Sequence, residues 1–390
     1  MAPDSENSGL RWLNIRTVIG AFLLVTLGVT IQSYTNNTYN NYLVFTRPLV
    51  NLQSCLSLYR YYHSLYEDVF RYSPTFALLA GSLSHMNDFS GLLVWNLLNT
   101  GVFVSGLVYF LQSSGCTKKT IIAALILVFL EWLISCQNSQ SNGLVAGLIL
   151  WGIALLRKEK PILAALMLSL CGFIKFYGLA AAVIFLFFPK KIKFLGSMFI
   201  WCLILSILPL TVVSLQCLKS QYIFWIEALQ SCPVAQQVSV MGIVQYWFSA
   251  NIPYSWIQLA GFVAMLLPLV RMKRYQDVPF QNLFLGSVLL YVVIFNMMAE
   301  SPTYIIALAG VALWYSSLKT INPLDIALIV LVLVLSSMSS SDLFPKVWRQ
   351  RFFVMYSIKA LPCLLVWLRI QYLLWSDSSR AEELNTTSAL

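Results

Sequence analysis

The chain has 390 residues, of which 59% are hydrophobic and 10% charged, and a formal net charge of +10. Soluble domains carry about 25% charged residues, so this composition excludes an ordinary soluble enzyme and predicts an all-α, polytopic integral membrane protein. An excess of positive charge would suggest nucleic acid in a soluble protein, but here much of it lies in short turns between apolar runs, where it sets topology; no nucleic-acid partner is expected.

Met1 to Asn14 is polar, and the apolar run Val18 to Ile31 is followed by TYNNY rather than a small-residue cleavage site, so it reads as a retained first helix near 17–34. Further runs fall near 90–112, 120–136, 142–156, 161–174, 176–189, 194–215, 255–270, 281–298, 303–318, 323–340 and 354–375, a bundle of about 11–13 helices crossing a core of roughly 30 Å. Arg11 and Arg16, Lys118 and Lys119, Arg157 to Lys160, Lys190 to Lys193, Arg271 to Arg274 and Lys319 fall on alternate turns, which makes one face cytoplasmic. An even number of crossings puts both termini on that face. Residues 1–375 then form a single transmembrane domain, and 376–390 a disordered cytoplasmic tail.

Two long connections, 34–89 and 216–254, lie on the outer face. The first holds an apolar stretch, Ser73 to Met86, too short to span and expected as a helix on or dipping into the outer surface. The second carries Tyr222, Phe224, Trp225, Tyr246, Trp247 and Trp256, amphipathic aromatics suited to the membrane interface. Eight cysteines show no metal-ligand spacing and there are only two histidines, so neither a metal nor a cofactor is expected. Cys217 and Cys232 flank an outer segment and could pair in an oxidising compartment.

The stretch Glu131 to Lys175 concentrates the chemistry. Gln137, Asn138, Gln140 and Asn142, interleaved with serines, offer donors and acceptors for sugar or acceptor hydroxyls. Lys175 lies inside an apolar run, where a cation costs about 2.5–3.5 kcal/mol on insertion scales, so it is expected to face a cavity or an anion. Outer cations that break the positive-inside pattern, Arg71, Lys346, Arg349 and Arg351 among them, suit a phosphate, which Arg grips through two parallel hydrogen bonds. Three carboxylates are candidate general bases: Asp68 first, Glu300 second, and Glu67 beside Asp68. No Walker loop, GxSxG elbow, HExxH or DxD sequence occurs, so any sugar donor is expected to be a membrane lipid phosphate approached from the outer leaflet.

A first helix, a long outer loop, a helix opened by YSP, the amide-rich QNSQSN and a hairpin with an intramembrane lysine together resemble glycosyltransferase family 87. SVMGIVQYWF, FNMMAESPTYIIALAGVALW, SDLFPK and KALPCLLVWLRIQY are similar to its Bacteroidetes-type branch. The resemblance implies a GT-C fold and transfer of a mannose-like hexose from a polyprenyl-phosphate donor to an envelope glycolipid or glycan. It places the active site on the periplasmic face of the bacterial inner membrane, with an outer-loop aspartate as base. The stretch after the first helix, TNNTYNNYLVF, has amides and no acid, which leaves Asp68, Glu67 or Glu300 for that role. Arg71, Lys175, Lys346, Arg349 and Arg351 would hold the donor phosphate. A transporter or flippase of the same lipid, or a catalytically silent scaffold, remain the alternatives.

Overall fold

The computed structural model describes residues 14–230, 238–249, 252–339 and 344–376. Apart from Ser376, the expected tail lies outside them, as does Cys232. The described residues are helical, with no strand among them. Helix α1 (Ile15–Thr35) opens on a reciprocal cap between Asn14 and Thr17. It is followed by three short helices, α2 (Asn40–Thr46), α3 (Pro48–Gln53) and α4 (Pro74–Gly81). The bundle continues through α5 (Asp88–Ser113), α6 (Lys118–Gln137), α7 (Asn142–Arg157), α8 (Pro161–Ile174), α9 (Tyr177–Ala182) and α10 (Lys191–Ile207). Helices α1, α5, α6 and the run Lys191–Thr211 are long and apolar enough to cross a membrane, close to four of the expected runs.

Shorter helices complete the bundle, and some of them pack inside it. Nearly all of α7 is buried, as expected for a helix apolar on every face. It lies against α5 at backbone distance: a Cβ on Gly106 would sit 2.7 Å from the Gly147 carbonyl oxygen, and one on Gly147 would meet the Val102 carbonyl. Small residues are what allow such an approach between membrane helices. The hairpin α8–α9 is broken at Lys175, whose backbone is extended (φ −143°, ψ 139°). Irregular backbone at membrane depth is tolerated only where protein buries it or where it lines a cavity, and Lys175 meets the second condition, as described below.

Beyond α10, α11 (Leu215–Gln230), α12 (Val240–Phe248) and α13 (Tyr254–Leu266) precede the core pair α14 (Val278–Ile294) and α15 (Tyr304–Ser317). Helix α16 (Pro323–Leu331) runs into a π-helical turn, Val332–Ser337. The short α17 (Lys346–Trp348) runs into a second, Arg349–Val354, and α18 (Ala360–Trp375) closes the bundle.

Ser73 caps α4 through Phe76, Pro74 occupies its first turn, and the Ser73 hydroxyl donates to the Phe173 carbonyl (2.6 Å). This is the helix expected between Ser73 and Met86. It packs beneath α2, α3 and α11 with Phe76, Ala77 and Ala80 buried, rather than lying bare at the surface. Cys217 is bonded to Cys55, not to Cys232 as the sequence suggested. The two half-cystines are 162 residues apart and join the segment between α3 and α4 to α11. Gln221 reinforces the junction, accepting from the Leu58 amide (3.1 Å) and donating to the Leu56 carbonyl (2.8 Å).

At the opposite end, Arg157 draws three helices together. It donates to Ser113 and Ser114 at the end of α5 and to Gln281 and Asn282 near the start of α14. Arg274, next to α14, donates to carbonyls at the end of α18. Several basic turns thus share one end of the bundle, and the disulfide lies at the other.

Candidate active site

A cavity of about 480 Å³ opens among α2, the segment between α3 and α4, the amide turn, the α8–α9 break, α11 and the segment before α15. Five residues singled out in the sequence line it together: Asp68, Arg71, Gln140, Lys175 and Glu300. They come from segments more than 200 residues apart in the chain.

Each wall is positioned by a local device. The amide turn ends α6: Ser139 adopts a left-handed backbone (φ 47°) and its carbonyl accepts from the Trp95 indole (2.8 Å). Asn99 on α5 accepts from the Leu144 amide (3.0 Å), anchoring the first turn of α7. Gln140 is thereby held 9% exposed at the cavity wall, and its side-chain oxygen is buried with no donor among the described residues. Such an acceptor is costly unless a ligand group donates to it. Lys175 reaches the cavity because the helix breaks at its own position, and its ammonium donates to the Asn142 oxygen (2.6 Å). Nearby, the Asn296 amide donates to the Tyr177 hydroxyl (2.5 Å), and the Asn296 oxygen accepts from the Met298 amide. These bonds shape the backbone leading to Glu300.

The segment between α3 and α4 supplies the remaining charge. Asp68 accepts from the following amide, that of Val69 (2.6 Å). The Arg71 carbonyl accepts from the Trp225 indole (3.2 Å), and Trp225 stacks on Phe176 with centroids 5.4 Å apart. Trp225 therefore belongs to the cavity wall, not to the interfacial belt expected from sequence. Burial pushes the Tyr72 phenol well above its ordinary pKa, which keeps it a neutral donor at the wall. Among the described residues neither Asp68, Arg71 nor Glu300 is tied into an ion pair. Two carboxylates and two cations thus face one space without neutralising each other, an arrangement able to receive a hydroxyl and an anion side by side.

The other candidates fall elsewhere. Glu67 does not line the cavity; its amide donates to Asn40 (2.9 Å). Gln137 and Asn138 are exposed, although the Asn138 carbonyl accepts from Asn41, which does line the cavity. Asn142 is buried behind Lys175 as its hydrogen-bond partner. Lys346 and Arg349 line a second cavity, with Lys359, and Arg351 lines neither. Sequence reading passed over Tyr72, Tyr177, Gln258 and Asn296; only Asn296, four residues before Glu300, carried a positional hint.

Fold and cavity together define an all-α integral membrane protein with a charged, amide-lined site at one end of its bundle. The sequence model of glycosyltransferase family 87 matches residues 70–341, well over half of the chain, and the protein belongs to that family. It is a glycosyltransferase of the membrane. The match includes Arg71, Gln140, Lys175 and Glu300 and begins two residues after Asp68. Comparison with curated proteins finds no match.

Proposed function

We propose that the protein transfers a hexose of mannose type from a polyprenyl-phosphate donor to an envelope glycolipid or glycan at the outer face of the bacterial inner membrane. The observation that carries this reading is the gathering of Asp68, Glu300, Arg71 and Lys175 around one cavity whose lining also includes Gln140, with its buried and unpartnered side-chain oxygen. Asp68 is the first choice for the base that removes the acceptor hydroxyl proton, and Glu300 the second. The acceptor oxygen then attacks the anomeric carbon as the bond from that carbon to the phosphate oxygen breaks. Polyprenyl phosphate leaves with the electron pair, and Arg71 and Lys175 stabilise its growing charge. Gln140 and the amides around it hold sugar hydroxyls, while Trp225, Phe176 and Phe295 offer an apolar wall to the lipid.

The disulfide supports an oxidising, extracytoplasmic setting for this end. The basic turns at the opposite end support a cytoplasmic placement there, with both termini on that side. The test is transfer by purified protein from a panel of radiolabelled polyprenyl-phosphate sugars into a membrane lipid extract, comparing wild type, Asp68→Asn and Glu300→Gln. Loss of transfer in one variant, with donor binding retained, identifies the base. Donor binding without transfer across the panel, unchanged by both substitutions, defeats the catalytic reading and favours transport of the same lipid.

A further inference from the structure

A second cavity, of about 330 Å³, lies beside the first, on the other side of the turn Ser301–Thr303. Glu300 and Thr303 face the first cavity, whereas Ser301 lines the second. The second cavity is lined by three cations, Lys346, Arg349 and Lys359, together with Ser301, Ser339, Val238, Phe353 and Val354, and no carboxylate is among the described residues of its lining.

Lys359 is the anchor of this group. It is 3% exposed, its ammonium donates to the Ser301 hydroxyl (2.7 Å), and it lies 4.9 Å from the centre of the Tyr304 ring. On its far side it pairs with Glu131 of α6 at 2.8 Å, and Glu131 is fully buried. The pair fixes Lys359 at the lining of the cavity and balances its charge with that of Glu131. Lys346 and Arg349 stand at the rim, on the short α17 and the π-helical turn that follows it. On the other side the Ser336 hydroxyl, in the first π-helical turn, donates to the Lys359 carbonyl (2.7 Å). Two π-helical turns therefore hold the cationic group, and such turns concentrate at functional sites.

We infer that this cavity binds a phosphate group other than the donor's. A guanidinium beside two ammonium groups matches the tetrahedral oxygens of phosphate. The apolar wall of Val238, Phe353 and Val354 suits a phosphate carried on a lipid. The intervening turn keeps two like-charged groups in separate compartments, so one phosphate does not displace the other. That this phosphate is not the donor's rests on the first cavity being the donor site.

The test is binding, independent of transfer. Full-length protein in a non-ionic detergent is titrated with tritiated dihexanoyl phosphatidylglycerol, with inorganic phosphate and farnesyl phosphate as competitors. Lys346→Gln/Arg349→Gln is expected to weaken phosphatidylglycerol binding at least tenfold, and the milder Lys346→Gln several-fold. Arg71→Gln is expected to leave it within twofold while weakening farnesyl phosphate. Displacement by inorganic phosphate at similar concentration shows that the bare group is recognised; displacement by lipid alone shows that the headgroup and its stem are. Either supports a phosphate site. Binding unchanged in both Lys346 variants, or lost equally in Arg71→Gln, overturns the inference. Because nothing here reads transfer, a failure of the glycosyltransfer reading would show in the panel assay and leave this result standing.

Discussion

Helix α7 holds a cation at each end, and the two are treated differently. At its last residue, Arg157 donates four hydrogen bonds, to Ser113, Ser114, Gln281 and Asn282, and its guanidinium lies 5.0 Å from the Phe110 ring. Near its first residue, Lys175 donates one hydrogen bond among the described residues, to Asn142, and otherwise faces a cavity with Glu300 and Asp68. A heavily bonded cation is a fastener, because four of the five N–H donors of Arg157 are spent on the fold and only its Nε is left without an acceptor among the described residues. A sparsely bonded one keeps its field available to something outside the chain. Composition alone does not separate the two, since both lie among amides and hydroxyls; position does, with Arg157 in a basic turn and Lys175 interrupting an apolar run.

The largest expected effect tests the sparse end. Lys175→Met is expected to lower transfer by about 10²–10³-fold, the loss typical of removing one preorganised electrostatic contact to developing charge. The folded fraction, checked by thermal unfolding in detergent, should change little. An unchanged rate would mean that Lys175 is another fastener. Cys55→Ser should act on the same end through stability: losing a native disulfide costs about 2–4 kcal/mol. Thermal unfolding should show the drop, and reducing agent should reproduce it in the wild type alone. Arg157→Met is expected to cost less, about 1–3 kcal/mol, for the acceptors it leaves unpaired. Transfer per folded molecule should stay at the wild-type level, which is the signature that separates the two ends.

The spans were legible because a run of apolar residues has few alternatives in a bilayer, so the expected boundaries near 90–112 and 120–136 lie within a few residues of α5 and α6. Lys175 was legible for the same reason, as a charge where charge is expensive. What local sequence did not carry was partnership across the chain. Cys55 and Cys217 meet over 162 residues and nothing local announces the pair, whereas the pair with the nearer Cys232 was only an open possibility. The five cations assigned to one donor phosphate divide in space: Arg71 and Lys175 face one cavity, Lys346 and Arg349 another, and Arg351 neither. Lys359 drew no attention at the head of α18, because its partner Glu131 lies on α6 and nothing local announces the pair. Trp225 read as an interfacial aromatic because periodicity cannot show that α11 folds back over the α8–α9 break.

The smallest expected effect is the most discriminating, because it carries opposite signs. Gln140 and Asn142 belong to the same amide turn, but the Asn142 oxygen is occupied by Lys175 and the Gln140 oxygen by nothing among the described residues. Asn142→Leu should therefore lower both stability and transfer, since it strands the lysine. Gln140→Leu removes a buried acceptor that has no donor, so unfolding temperature should hold or rise. At the same time one hydrogen bond to a sugar hydroxyl is lost, worth about 0.5–1.5 kcal/mol, which corresponds to roughly a two- to tenfold rise in KM for the sugar-bearing substrate. A protein more stable and less able to bind its substrate marks Gln140 as part of the site, whereas a fall in both would return it to the fold.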